Sequence, residues 1–256
     1  MSMSDDCFLR SELLSSHGAI GIFSSRHGGI SPPPFDSLNL GSGLGDDEGN
    51  VAHNLNILTS AASLPRTPHR AIQVHGAGVL VCRNSGDQHQ DQADILIGVD
   101  GAAIAVRVAD CVPVLLADPE AGVIAAVHAG WRGTVAQATI HAVKAMVRHG
   151  AKPEQIFACI GPCIGPCCFE IDTNTANNLS RCCDGAHRFI HHVDNETYAD
   201  LAGINARQLR CAGITQAHIE RISECTCCDE QRFYSWRRDG KMAGRHLAVV
   251  ALPDAS

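Results

Sequence analysis

The sequence is short of charge. Asp, Glu, Lys and Arg make up 18% of its 256 residues and hydrophobic residues 45%, which excludes a disordered, self-repelling chain and favours a well-buried core. It has no long run of Lys or Arg, and its formal net charge is −7; both argue against nucleic acid as a partner, because duplex binding leans on clustered cations. No apolar stretch reaches the ~18 residues needed to span a bilayer. The start, Met1-Ser-Met-Ser-Asp-Asp-Cys7, has neither a basic opening nor an apolar core, so no secretory signal is expected. No repeat, low-complexity tract or linker divides the chain. One α/β domain over residues 1–256, located in the cytoplasm and without a membrane partner, is the expectation, as a monomer or weak homodimer.

Cysteine is abundant instead. An odd thirteen cannot all pair within one chain, and a leaderless chain of this size points to free thiols or metal ligands. Cys163, Cys167, Cys168, Cys182, Cys183, Cys225, Cys227 and Cys228 are read as lacking the paired spacing of a zinc knuckle, so no second, structural metal is expected from them.

The periodicity predicts strands at Ala19–Ser25, Ala71–His75, Gly78–Cys82, Asp94–Ile97, Ala102–Val108, Val112–Asp118, Val123–His128, Ile156–Ile160 and His246–Leu252. The turn signal Asp118-Pro-Glu-Ala-Gly122 predicts a hairpin of 112–118 with 123–128. Because these runs are almost wholly apolar, both faces of their sheet should be covered. Helices are predicted at Asp47–Ala62, capped by Asp46 or Asp47, and at Thr134–His149, Asp172–Cys183 and Tyr198–Cys211. The polar stretch Arg83–Gln92 reads as a loop. The architecture expected is a mixed β-sheet covered by helices.

Two stretches stand outside this pattern. Arg26–Gly41 is a long glycine- and proline-rich loop, of the kind that is usually functional when ordered; Arg26 and Asn39 are its substrate-binding candidates. Ser235-Trp-Arg-Arg-Asp-Gly240 is polar, turn-like and doubly cationic, which makes Arg237 a third candidate for substrate binding.

Three metal-suited side chains sit at or beside the ends of apolar runs: His75 in Gln73-Val-His-Gly76, Cys111 in Ala109-Asp-Cys-Val-Pro113, and His128 in Val127-His-Ala-Gly-Trp-Arg-Gly133. Two imidazoles and a thiolate make a three-ligand zinc set, which leaves a fourth position for water or substrate. Their spacing is too long for a finger, so only the fold can assemble them. A bound ion acidifies water toward neutrality. Asp110, next to Cys111, is a candidate orienter of a ligating histidine or general base. Arg132 and the start of the helix after it suit an anion such as phosphate.

At these residues the chain resembles the bacterial YfiH-type laccase-domain, or polyphenol-oxidase-like, family. The matching segments are Ser25-Arg-His-Gly-Gly-Ile-Ser31, Pro34-Phe-Asp-Ser-Leu-Asn-Leu-Gly41, Gln73–Gly76, Ala109–Pro113, Val127–Gly133, Ile160–Cys168, Cys225-Thr-Cys227 and Tyr234-Ser-Trp-Arg-Arg-Asp-Gly240. The resemblance implies zinc held by His75, Cys111 and His128. It also implies purine nucleoside phosphorylase activity on adenosine, inosine and methylthioadenosine, with adenosine deaminase activity. The implied fold is a layered α/β domain similar to the catalytic domain of cytotoxic necrotizing factor. The chain departs from the family at Phe169, where Tyr is frequent, and at Leu55, where Arg is.

Two other chemistries fit the same residues. The family's older name suggests a copper polyphenol oxidase. The chain has no His-x-His pair, so a multicopper cluster is not expected, but copper competes well for a lone His2Cys set. A metal-free cysteine hydrolase would use Cys111 as nucleophile and His128 as base. A non-enzymatic reading is a peptide- or nucleotide-binding module using the same cleft.

Overall fold

The computed structural model describes residues 7–84 and 86–253. The leaderless reading of the N-terminus lies outside the described residues, Cys7 excepted. Among the described residues no helix is long and apolar enough to cross a membrane.

The chain forms a mixed α/β domain built on two stacked sheets rather than one. The larger sheet has six strands in the order 219–221, 157–160, 112–118, 123–129, 95–99 and 79–83. Its centre is the expected hairpin, with Val112 opposite Ala129 and Asp118 opposite Val123. The pairings at its two outer edges are parallel and the rest antiparallel. The smaller sheet runs 8–10, 20–24, 246–251, 104–108 and is antiparallel throughout.

Alternation along the central strands explains the layering. Val112, Val114 and Leu116 point to one face and meet helices Ala138–Arg148 and Leu201–Cys211 through Ala142, Val143, Met146, Ile204 and Leu209. Leu115 and Ala117 point the other way and meet Phe23, Ile104, Val106, Ala248 and Val250 of the smaller sheet. The far face of the smaller sheet, Ile22, Ala105, Leu247 and Val249, is covered by Leu55 and Leu58 of helix Glu48–Ala61. The layers therefore run helix, sheet, sheet, helices. Fully apolar strands need both faces covered; here the second cover is another sheet, and period-2 apolarity does not reveal which cover a strand will meet. Leu55, where the resemblance led us to look for a lost cation, is an 8% exposed core residue.

Several elements differ from expectation. Helix 134–149 is two helices, Trp131–Val135 and Ala138–Arg148, separated at Gln137 with φ 58°. The Gln137 side chain donates to Cys182 O at 2.6 Å across that break. Residues 83–92 are not all loop, because Gln88–Gln92 is a strand parallel to Arg70–Ile72. The segment before helix Leu201–Cys211 is a hairpin of Ile190–Val193 with Glu196–Ala199.

Candidate metal centre and its cavity

His75, Cys111 and His128 come together, each offering a donor atom within 4.8 Å of the others. His128 ends a central strand and is 3% exposed. Cys111 is the last residue of the three-residue gap between strands Ile104–Val108 and Val112–Asp118. Its neighbour Asp110 has φ 84°, which tilts the backbone so that Cys111 faces His128 instead of continuing the strand. His75 lies in a turn with φ 60° and is exposed. The two imidazole rings are 4.7 Å apart and meet edge to face. Gly130 leaves them room: a Cβ there would stand 2.9 Å from the Cys111 sulfur and 3.1 Å from His75 Cδ2.

The orienter of this set is Asp94, which sequence reasoning missed. Fully buried, it accepts from His128 Nδ1 at 2.7 Å and from the backbone N–H of Val74, His75 and Gly76 at 3.2, 3.0 and 2.7 Å. One carboxylate thus fixes the tautomer of one histidine, leaving Nε2 free, and holds the turn that carries the other. Burial alone would raise the Asp94 pKa, but the His128 hydrogen bond and the N–H donors outweigh it and hold the carboxyl below its usual range. The one sequence signal was an acidic residue directly before the fully apolar strand Ile95–Val99.

Asp110 does not take that role. Its Oδ1 accepts from Thr226 Oγ1 at 2.7 Å and its Oδ2 from Ser235 Oγ at 3.0 Å and Arg237 N at 2.6 Å. It ties the Cys111 turn to the 226 and 235–237 segments, while its side chain still borders the cavity.

Electrostatics prepare the thiol. Burial opposes ionisation of Cys111, but the charge of His128 and hydrogen bonds from His128 and His75 bring it down to about 6. Burial likewise opposes the His128 imidazolium, and Cys111 and Asp94 together raise it to about 9. Both directions favour a thiolate beside an imidazolium. With a divalent ion both groups bind deprotonated, and metal affinity becomes pH-dependent. The donor set, the fixed tautomer and the space above Gly130 fit a zinc-type ion with one open position.

That open side faces a cavity of about 620 Å³. Four arginines line it: Arg107, Arg132, Arg237 and Arg245. Arg107 and Arg245 were not foreseen. Their guanidinium groups donate to backbone carbonyls, of Ala71 for Arg107 and of Ala243 and Gly244 for Arg245. Burial lowers the pKa of both, and Arg107 lowers that of Arg245 further, so an anion placed between them would relieve the repulsion. Arg132 is exposed and lies over the Trp131 ring at 4.3 Å. It sits inside a five-residue helix that starts at Trp131, not before a helix starting at Thr134. Arg237 donates to Cys168 O and Glu170 O and lies over Phe169 at 5.5 Å. Trp131, Phe169 and Trp236 add flat apolar walls.

Two candidates fall outside the cavity lining. Arg26 is turned the other way, donating to Asp36 O and Glu230 O and lying over Tyr234 at 4.8 Å. Asn39 is fully buried: its Oδ1 accepts from Gly41 N and Arg245 N, and its Nδ2 donates to Asp46. It reaches the cavity indirectly, by placing Gly41 and Arg245 at the rim.

The cysteines of the candidate sites, Cys111, Cys167, Cys168, Cys225 and Cys228, are in no disulfide. The reading of the remaining cysteines needs correcting: Cys225 and Cys228 do stand at knuckle spacing, and the fold gathers them with Cys167 and Cys168.

Stacked sheets flanked by helices, with an open His2Cys cluster at the end of the central strands, define an α/β metalloenzyme-like domain. Residues 20–253 match the family described as multi-copper polyphenol oxidoreductase laccase, and the chain belongs to that family. It is 37% identical over 232 residues to a protein of Deinococcus radiodurans named purine nucleoside phosphorylase, covering 90% of this chain and 88% of that one. It is 35% identical over 238 residues to purine nucleoside phosphorylase YfiH of Escherichia coli, covering 92% and 94%. Among solved structures, YlmD from Geobacillus stearothermophilus superposes with a TM-score of 0.85 at 30% identity over 96% of both chains. The YfiH protein of Bacillus licheniformis gives 0.87 at 27% identity over 97% of both.

Proposed function

We propose that this protein is a zinc-dependent purine nucleoside phosphorylase that cleaves adenosine, inosine and methylthioadenosine and also deaminates adenosine. The observation that carries the reading is the pairing of the His75–Cys111–His128 cluster with an arginine-lined cavity of nucleoside size. The names of the relatives support the reaction class. Phosphorolysis breaks the glycosidic C–N bond, forms a C–O bond to phosphate and sends a proton to the leaving base. Arg107 and Arg245 hold phosphate between them, with Arg132 and Arg237 at the mouth. Trp131, Phe169 and Trp236 stack the base. Zinc, when bound, supplies a Lewis acid beside the cavity. Asp94 keeps His128 in one tautomer, and Asp110 keeps the Cys111 turn closed.

Incubation of the pure protein with inosine and phosphate is expected to release hypoxanthine and ribose 1-phosphate, and His75→Ala to abolish the release. Absence of release in zinc-replete protein, or release unchanged in the variant, would refute the reading. Elemental analysis of protein made without added copper separates a zinc enzyme from a copper-loaded oxidase.

One observation favours a second reading. Cys111 and His128 offer neighbouring donor atoms, and His128 lowers the thiol pKa, as in a cysteine nucleophile with its base. A metal-free hydrolase would leave Cys111 open to alkylation in the presence of zinc. The phosphorylase reading expects zinc to protect it.

A further inference from the structure

Four cysteines lie together away from the cluster already described. Cys167 and Cys168 belong to the turn after Pro166, Cys225 and Cys228 to the turn after Glu224, and all four sulfurs lie within 4.8 Å of one another. Cys168 and Cys228 are 3.3 Å apart, and Cys167 and Cys228 3.5 Å. A tetrahedral ion with metal–sulfur bonds of ~2.3 Å sets sulfurs about 3.8 Å apart, so the observed spacing needs only small adjustments to close around one.

The backbone is arranged as it is beneath metal-bound thiolates. Gly165 N donates to the Cys225 sulfur at 3.2 Å. The N–H groups of Cys227 and Cys228 point to the same sulfur. Glycine at 165 suits this approach, since a Cβ there would crowd Cys167 Sγ at 3.1 Å and Cys225 Cβ at 3.2 Å. Below the cluster the segments are already joined. Cys163 and Cys225 form a parallel bridge, with Thr226 N donating to Cys163 O at 3.0 Å. Cys163 itself is 5% exposed and its thiol is pushed far up by burial, so it is packing and not a fifth donor. Four thiolates cannot share this volume unless a positive ion compensates them.

We propose that Cys167, Cys168, Cys225 and Cys228 form a second, structural zinc site that clamps the 165–170 turn to the 225–229 turn. Four thiolates in tetrahedral disposition with no open position select zinc. Each zinc–sulfur bond replaces an S–H, so binding releases up to four protons and involves no oxidant. The clamp bears on the cavity through two contacts. Thr226 donates to Asp110, and Cys168 O accepts from Arg237 Nη1. Both clamped turns thus brace groups at the cavity wall.

The test isolates this site from the His2Cys cluster. In a Cys111→Ala background the first centre is disabled, and the protein is expected to retain about one zinc per chain with an all-sulfur shell at ~2.3 Å by X-ray absorption. Adding Cys225→Ser and Cys228→Ser is expected to remove that zinc. The pair Cys167→Ser and Cys168→Ser serves the same purpose should the first fail to fold, with circular dichroism confirming that the protein measured is folded. In chains with Cys111 intact, the four-cysteine variants are expected to keep the His2Cys zinc, to fall from about two zinc ions per chain to one, and to melt at lower temperature. The proposal is overturned if Cys111→Ala protein binds no zinc, if its zinc shell contains nitrogen or oxygen, if its zinc survives loss of either cysteine pair, or if mass analysis of protein kept under reductant shows a disulfide within the cluster. None of these outcomes bears on nucleoside turnover, so this site and the proposed activity stand or fall separately.

Discussion

A single carboxylate organises the candidate centre. Asp94 makes four contacts, three to the backbone around His75 and one to His128, and so braces both histidine segments from behind the donor atoms. Asp94→Asn keeps the shape but presents an amide where His128 Nδ1–H and three N–H groups need acceptors. The expected result is a fall in zinc affinity of about 10–100-fold, read by competition with a chromophoric chelator, with the far-ultraviolet spectrum unchanged. Asp110→Asn is expected to do much less to affinity, because Asp110 binds Thr226, Ser235 and Arg237 and neither histidine. Equal losses in the two variants would show that Asp94 is not the orienter.

Among the elements, helix Glu48–Ala61 does more than cover the smaller sheet. Asn54, fully buried on its inner face, holds the long loop in shape. Its Nδ2 donates to Ser31 Oγ and Asn39 O, both at 2.9 Å, and its Oδ1 accepts from Ile30 N at 2.9 Å. Asn54→Ala removes these bonds and strands buried backbone groups, at a cost of about 2 kcal/mol. Urea unfolding should show that loss, together with a raised KM for nucleoside, since Gly41 and Ser42 at the end of the loop border the cavity. The ordered loop was legible from its glycine and proline content. That its polar residues face helix Glu48–Ala61 and not the ligand was not legible, because a hydrogen bond to a helix 15 or more residues away leaves no local pattern. The break at Gln137 was hidden for a related reason: the apolar stripe runs through it, and only tertiary contacts hold that residue at positive φ.

For the molecule as a whole, a buried histidine far from the metal ligands in sequence contributes to acid sensitivity, beside His69, whose pKa burial also lowers. His246 opens the last strand of the smaller sheet, is 3% exposed, and accepts from Tyr234 N at 2.8 Å. Burial above all lowers its pKa to about 4. The unfolded chain binds a proton near pH ~6.5 and the folded one does not until about pH 4. Stability is therefore complete above the higher value and is lost as pH falls through this window, by about 3 kcal/mol in all. Asp94, also held low, contributes only at more acidic pH. Denaturant midpoints measured across the window should fall steadily in the wild type and flatten in His246→Gln, which retains an acceptor without a titrating group. A slope unchanged in the variant would assign the acid sensitivity elsewhere.

What the sequence determined by itself is what depends on neighbours in the chain. The apolar runs became strands, Asp118–Gly122 became the turn of the central hairpin, and Asp47 became the cap of its helix. Strand-end positions for Cys111 and His128 could likewise be read locally, whereas the strand expected at Ala71–His75 ends at Ile72 and leaves His75 in the turn beyond it. Only the tertiary structure decided that a second sheet covers the first, that Asp94 and not Asp110 supports the histidines, that Arg107 and Arg245 face the cavity while Arg26 and Asn39 do not, and that four cysteines from two turns meet. Side-chain direction at a strand end, and the partner met across ~10 Å of packed layers, depend on where distant segments return, and nothing in a local pattern encodes that return.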